Sequence, residues 1–378
     1  MARICHLTLL NPATHTRIFA KIARSQHTLG FEVIVVGQDQ KNTPYTREGI
    51  QVFPIKPFRR LSLQRILSQI RILRIGLKIH ADIYTLHTPE LILVALFLRW
   101  RLDAKIIYDV HEDYAANIRY GNHYPAFARK LLAGMVRFLE KRFIKYTAAI
   151  SFAENCYEGI LAEPGKKRFF LRNKFQFPEH RQPPDLPLPV VPYMLYSGTI
   201  AEDWGIFETV SLWEKLNQIQ PIHLVVAGFC QNSVLLRKLQ KDIDKSGLKD
   251  RFQLIGGDKY VEHHQIMYLI QNCAFGAALY RTGVHIRGKI PTKFYEYMAF
   301  GKPLVFTDDP FWNELNRQLK LGLSYTDSID IQSFWDNLKT QIANPEPHRK
   351  EDFLWSGEER ELRRMLDFVI GTQKSIST

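Results

Sequence analysis

Apolar residues in the first half of the chain fall into short continuous runs separated by longer stretches of helical spacing. RICHLTLL (3–10) and FEVIVVG (31–37) read as strands on either side of a helical pattern at about 17–29. VFPI (52–55), DIYTLH (82–87) and AKIIYDVH (104–111) follow as further strands, again with helical stretches between them. A second set comprises YMLYSG (193–198), IHLVVAG (222–228), FQLIGG (252–257), AFGAALY (274–280) and PLVFTD (303–308). Helical patterns at about 204–217, 231–246 and 262–272 separate its members. Runs of this kind, alternating with helices and without hairpin turns, predict βα units on parallel sheets. The two sets are parted by FPEHRQPPDLPLPVVP (177–192), whose prolines allow neither a helix nor an inner strand. The expected class is therefore α/β, two doubly wound parallel-sheet domains facing across a cleft, with ligands at the C-terminal ends of the strands. The expected bounds are 1–176 for the first domain, 177–192 for the connector, 193–350 for the second domain, and 351–378 for a C-terminal helix and tail.

Charge divides the chain in the same place. Residues 1–190 hold 29 lysines and arginines against 15 acids, whereas residues 191–378 hold 22 against 23. A basic body joined to a neutral one suggests different partners for the two. Four scattered cysteines (Cys5, Cys156, Cys230, Cys273) lack metal-ligand spacing and read as reduced thiols. Asn11-Pro12 interrupts the first apolar run before a signal-peptide core can form, and LILVALFL (91–98) is about half a membrane span. The expectation is a cytoplasmic chain, soluble or peripheral on the inner face of the membrane.

The stretch IPTKFYEYMAFGKPLVFTD (290–308) carries the clearest chemistry. Pro291 stands where helices commonly begin, placing Thr292 and Lys293 in the first turn, where free N–H groups favour an anion. A lysine there opposes the helix dipole unless a bound phosphate is its partner. Glu296, one turn on, can accept hydrogen bonds from vicinal hydroxyls such as those of a ribose. A surface Lys293–Glu296 ion pair on a core-packing helix explains the same residues.

PTKFYEYMAFGKPLV resembles the donor-site segment of retaining family 4 glycosyltransferases of GT-B type, in the bacterial surface-polysaccharide branch. NPATHTRIFAKIARSQHTLGFEVIVV, IIYDVHEDYA and YMLYSGTIAEDWGIFETV are similar to other segments of that branch, in the same order along residues 3–345. The resemblance implies transfer of a sugar, with retention, from a nucleotide diphosphate sugar (UDP-linked by expectation) to a saccharide acceptor, lipid-linked by expectation, in surface polysaccharide synthesis. No cofactor beyond the donor substrate is implied. Glu296 would bind the donor ribose, Thr292 and Lys293 the diphosphate, and the Gly198-Thr199 turn the nucleotide phosphates. His111 would lie at the reacting sugar, making His111 and Lys293 the expected catalytic residues. Gly257 and Tyr260, in LIGGDKYVEHH, would border the base, although Tyr260 equally suits plain loop packing. Arg17 and His15 would lie on the acceptor side, with a helix-surface arginine as the other reading of Arg17.

Departures from the family pattern redistribute these roles. Gly288 stands where many members have a glutamate, so the sugar contact would come from elsewhere in 281–289, with backbone at Gly283 as a candidate. The usual basic pair after the first donor-domain strand is missing, so phosphate charge would fall on Lys293, helped by Arg281 or Arg287. His15 replaces a usual aspartate. Asp242 and Asp244 match a metal-binding string within a charged helical stretch, where they read as solvent face, and no metal is expected. Asp109 is expected to fix a local turn.

Two basic stretches, 59–80 and 127–146, read as amphipathic helices with apolar faces in the core and cationic faces outside. They serve either as solubilising surfaces or as docking sites for anionic lipid. No nucleic-acid motif accompanies them. A nucleotide-sugar epimerase and a noncatalytic nucleotide-sugar binding protein are the competing functions.

Overall fold

The structure is a computed structural model and describes residues 2–371 except 60–61, 122–123, 162–164, 178–183, 282, 284–285 and 346. Pro178 and Pro183 of the expected connector, Arg60 of the first basic stretch, parts of the 281–289 loop and the end of the tail lie outside the described residues. The chain divides into two compact units: residues 1–176 with the C-terminal helix from Glu358, and residues 177–357. The C-terminal segment therefore belongs in part to the first unit rather than forming a separate tail from 351.

The first unit opens with β1 (Arg3–Pro12), a π-helical segment Thr16–Ala23 and α1 (Arg24–Thr28). Then come β2 (Glu32–Gln38), β3 (Tyr45–Arg47), β4 (Ile50–Ile55), α2 (Gln64–Ile79), β5 (Ile83–Leu86) and α3 (Ile92–Leu102). It continues through β6 (Lys105–Val110), α4 (Tyr114–Tyr120), α5 (Ala126–Ile144), β7 (Ala149–Phe152), α6 (Glu158–Leu161) and β8 (Arg168–Phe170). Strand order is β3-β4-β2-β1-β5-β6-β7-β8, parallel apart from β3, which pairs antiparallel with β4. That edge hairpin departs from the all-parallel expectation. It is turned by Glu48 and Gly49, both in the left-handed region.

Chain direction across this sheet fixes where the helices lie. Connections β4 to β5, β5 to β6 and β6 to β7 step the same way, so right-handed crossovers put α2, α3 and α5 on one face. The β1-to-β2 connection steps back and lies on the other. Helix α3 packs against both α2 and α5. Their inward residues Ile72, Val94, Ala95, Leu98, Phe143 and Ile144 are buried against Tyr84, Ile106 and Tyr108 of the sheet. The outward faces do not match the expectation of cationic surfaces over wholly buried apolar ones. Leu63, Ile66, Leu67, Phe127, Leu131 and Phe138 are all exposed.

The second unit contains β9 (Tyr193–Ser197), α7 (Ile206–Asn217), β10 (His223–Phe229), α8 (Ser233–Ser246), β11 (Phe252–Gly257) and α9 (His263–Asn272). It continues with β12 (Phe275–Ala278), α10 (Thr292–Ala299), β13 (Leu304–Thr307), α11 (Pro310–Leu319), β14 (Gly322–Tyr325), α12 (Ile331–Ala343) and α13 (Lys350–Phe353). Its sheet is parallel in the order β11-β10-β9-β12-β13-β14. Trp213, buried under the sheet, satisfies its indole by donating to the Ile222 carbonyl at 2.8 Å. The last helix, α14 (Glu359–Gly371), returns to the first unit. Glu358 just before it accepts from Lys174 at 2.6 Å and from the Arg172 amide at 3.0 Å.

In both sheets the order reverses beside the first strand of the unit, between β1 and β5 and between β9 and β12. Such switch points leave a crevice beyond the carboxyl ends of the strands, where ligands of doubly wound folds bind.

Candidate active site

In the second unit the residues beyond the switch point come from two elements. Gly198 ends β9 with φ +99, a conformation that side chains disfavour, and a Cβ there would meet no atom within 4 Å. The space before this turn is open to a ligand. Behind it the chain is tight, since a Cβ on Gly228 would come within 1.6 Å of the Gly198 carbonyl oxygen. Thr199 is exposed and its carbonyl accepts from Tyr196 Oη at 2.7 Å.

Pro291 precedes α10 and no side chain caps it, so its first amides are open to an anion. Thr292 is exposed at that end. Lys293 Nζ donates to the Ser197 carbonyl at 2.8 Å, which sets the cation beside the Gly198 turn. It lies 5.0 Å from the ring centres of Tyr196 and Tyr280. Burial lowers its pKa to about 8, partly offset by the charge of Glu296. Lys293 and Glu296 do not close an ion pair with each other. Instead the Glu296 carboxylate faces His263 Nε2 at 3.3 Å, while the Lys293 ammonium stays on the Ser197 carbonyl.

Other expected donor-site residues surround this pair unevenly. Gly257 is buried at the end of β11 with φ +75. Tyr260 lies flat on Phe229 with ring centres 4.2 Å apart, and is 82% exposed. Its outer face therefore offers an aromatic platform. The Gly283 carbonyl accepts from the amides of Ile286 and Arg287 within the loop, so of that backbone only the amide remains for a ligand. Arg281 does not stand ready for a phosphate. Its guanidinium is held by Glu208 at 2.6 Å and Glu202 at 3.4 Å, which satisfy its charge. Asp242 and Asp244 lie on α8, where Asp242 lines a surface pocket with Glu214 and Arg281 and Asp244 is paired to Lys249.

The first unit gathers its chemistry around one buried carboxylate. Asp109, on β6, accepts from Arg17 Nε at 3.1 Å and Nη2 at 2.7 Å, and from Ser151 Oγ at 2.7 Å. Burial opposes its ionisation, but Arg17 and the neighbouring histidines outweigh that and hold the carboxyl well below its ordinary range. Asp109 is thus the hub of a network rather than a turn residue. Arg17, only 2% exposed, is neither a surface arginine nor free for an acceptor: besides Asp109 it binds the Leu171 carbonyl. The π-helical winding of Thr16–Ala23 also turns Lys21 inward, onto Asn173 Oδ1 at 2.7 Å.

A row of histidines adjoins the hub. Gln26 Oε1 stands 2.7 Å from His6 Nε2, His6 Nδ1 is 2.9 Å from His87 Nε2, and His87 Nδ1 is 2.9 Å from His111 Nε2. His111 Nε2 is 2.6 Å from Asp109 Oδ2. Burial lowers the pKa of His6 to about 4 and depresses that of His87 strongly. His15, stacked 6.1 Å from His111, is lowered to about 3 by burial and by the charges of His111, Arg17 and Lys21. With Nε2 engaged by Asp109, the other ring nitrogen of His111, Nδ1, is left for a hydroxyl. His87, Asp109 and His111 have the donor types of a metal site. Arg17 already covers both oxygens of Asp109 and supplies the charge a cation would bring, so the trio reads as a positioning network.

His6, His87 and His263 were missed by the sequence reading. His6 lies within one strand-like run and His87 ends another, so both look like ordinary core positions. The Glu262–Gln265 capping box, which starts α9 at His263, was the available signal for the third.

Comparison with known families matches these units one by one. Residues 16–153 match the model for glycosyltransferase family 4, and residues 181–352 that for glycosyl transferases group 1. The chain belongs to the GT-B glycosyltransferase superfamily. No curated protein sequence matches it. Among solved structures, this glycosyltransferase shares its fold with sucrose-phosphate synthase from Thermosynechococcus elongatus (TM-score 0.64, 11% identity, 99% of this chain and 98% of that one). It is also similar to a glycosyltransferase from Rickettsia africae (TM-score 0.61, 12% identity, 99% and 97%). A third likeness is to Anabaena HepE, solved in complex with UDP-glucose (TM-score 0.58, 12% identity, 100% of both chains).

Proposed function

We propose that this glycosyltransferase moves a sugar from a UDP-sugar to a lipid-linked saccharide acceptor, with retention and without an essential metal, in the synthesis of a surface polysaccharide. The observation that carries the reading is the placement of Lys293. Its ammonium sits on the carbonyl preceding the open Gly198 turn, with uncapped helix amides behind it and Glu296 one turn away. A diphosphate set against that turn meets the cation and the amides together, and the ribose hydroxyls fall to Glu296. Tyr260 on Phe229 supplies a planar surface for the base.

In the reaction, the bond from the anomeric carbon to the diphosphate breaks and a bond to an acceptor hydroxyl forms on the same face. The hydroxyl proton passes to the departing phosphate. Preorganised donors aimed at the leaving oxygens stabilise the charge as it develops, which is where Lys293 and the α10 amides act. His111, oriented by Asp109, hydrogen-bonds a hydroxyl of the reacting saccharide through Nδ1.

Titration calorimetry with a panel of nucleoside diphosphates and their sugars tests the donor, and mass and NMR analysis of product formed on a membrane lipid extract tests acceptor and anomeric outcome. UDP binding no tighter than binding of the bare sugar, or an inverted product, would overturn the reading.

A further inference from the structure

The three helices on one face of the first unit carry an outer surface that their packing does not use. On α5, Phe127, Leu131, Met135 and Phe138 are exposed at four-, four- and three-residue steps, which line up along one side of a helix. Leu93, Phe97 and Trp100 form the same kind of stripe on α3, and Leu63, Ile66, Leu67 and Ile70 on and just before α2. Phe127 is 89% exposed, Leu131 77%, Trp100 76% and Leu93 72%. Since α3 packs against both neighbours on the same side of the sheet, the stripes belong to one surface. An apolar surface of this extent marks an interaction site.

Charge identifies the partner. Helices α2, α3 and α5 hold eleven arginines and lysines and a single carboxylate. That carboxylate, Glu140, is buried and accepts from Tyr108 Oη at 2.7 Å. Arg71, Arg74, Lys78, Arg99, Lys130 and Lys141 are exposed. A second copy of this chain, meeting the face about a two-fold axis, would set cations against cations. An RNA would use the cations but gain nothing from aliphatic stripes.

We propose that this face is a monotopic membrane-docking surface that inserts its apolar stripes among the acyl chains of an anionic bilayer while its cations meet the headgroups. An amphipathic surface lying in the interface plane requires this combination, with Trp at the boundary. No helix among the described residues is long and apolar enough to cross a membrane, so the attachment is from one side. The inference does not depend on the donor chemistry.

Flotation of the full chain with phosphatidylcholine vesicles, with and without phosphatidylglycerol, at low and high salt, tests it. Binding is expected to be strongest with the anionic vesicles at low salt, and a weaker salt-resistant part, shared with the neutral vesicles, should persist because the apolar contacts are not screened. Trp100→Ser, Phe127→Ser and Leu131→Ser should each lower partitioning roughly tenfold while nucleotide affinity stays unchanged. Lys130→Glu with Lys141→Glu should abolish the preference for anionic lipid. No flotation of the wild type, or undiminished flotation of the apolar variants, would overturn the proposal. So would a solution dimer that those same variants dissociate without any effect on vesicles.

Discussion

Lys293 gives the sharpest test of the donor site because its charge state is set by the fold. Burial lowers its pKa to about 8, so the free protein holds it roughly 90% charged at pH 7 and roughly 10% charged at pH 9. A diphosphate beside the ammonium favours the charged form and raises that pKa in the complex. Between the free and bound values the complex holds more protons than the free protein, so affinity falls as pH rises. UDP should therefore bind roughly tenfold more weakly at pH 9 than at pH 7. Calorimetry at pH 8.5 in buffers of different ionisation enthalpy should register net proton uptake. Lys293→Arg keeps its charge throughout and should flatten the profile, whereas Lys293→Met should be both flat and weaker at pH 7. A wild-type affinity constant from pH 7 to pH 9.5, with no proton taken up, would remove the lysine from the phosphate site.

Glu296→Gln should weaken nucleotide binding by about 1.5–3 kcal/mol through loss of a charge-assisted hydrogen bond, and the loss should shrink with a 2′,3′-dideoxy nucleotide if the ribose is its partner. Asp109→Asn strands the buried Arg17 guanidinium and should cost about 3–5 kcal/mol in urea unfolding; a double variant, Arg17→Met with Asp109→Leu, should recover much of it. Exhaustive EDTA treatment should leave turnover intact, and abolition with rescue by one specific ion would redirect attention to His87, Asp109 and His111. Residues 177–357 expressed alone should bind UDP by calorimetry, since Gly198, Lys293 and Glu296 all lie in that unit.

Much of the fold was legible in local pattern. Runs such as EVIVVGQ in β2 and HLVVAGF in β10 are apolar at successive positions because parallel strands are covered on both faces. The alternation with helices then fixed the α/β class, and the prolines of 177–192 marked the change of unit. Strands as short as β8 and β14 carried too few residues to show a period. In the proposed donor site, PTKFYEYMA placed Lys293 and Glu296 a turn apart because helical spacing is itself local. Their partners were not local. Ser197 lies 96 residues before Lys293, and His263 lies 33 before Glu296.

Tertiary structure alone decided the rest. Arg17 and Asp109 are 92 residues apart and meet because β1, β5 and β6 stand side by side in parallel register. The same register sets His6, His87 and His111 in a row, and no periodicity in the sequence encodes the pairing of distant strands. Amphipathic spacing showed that α2 and α5 were two-sided. How much of each apolar side the sheet would cover depends on the packing of α3 between them, and that packing left Phe127, Leu131 and Trp100 facing outward.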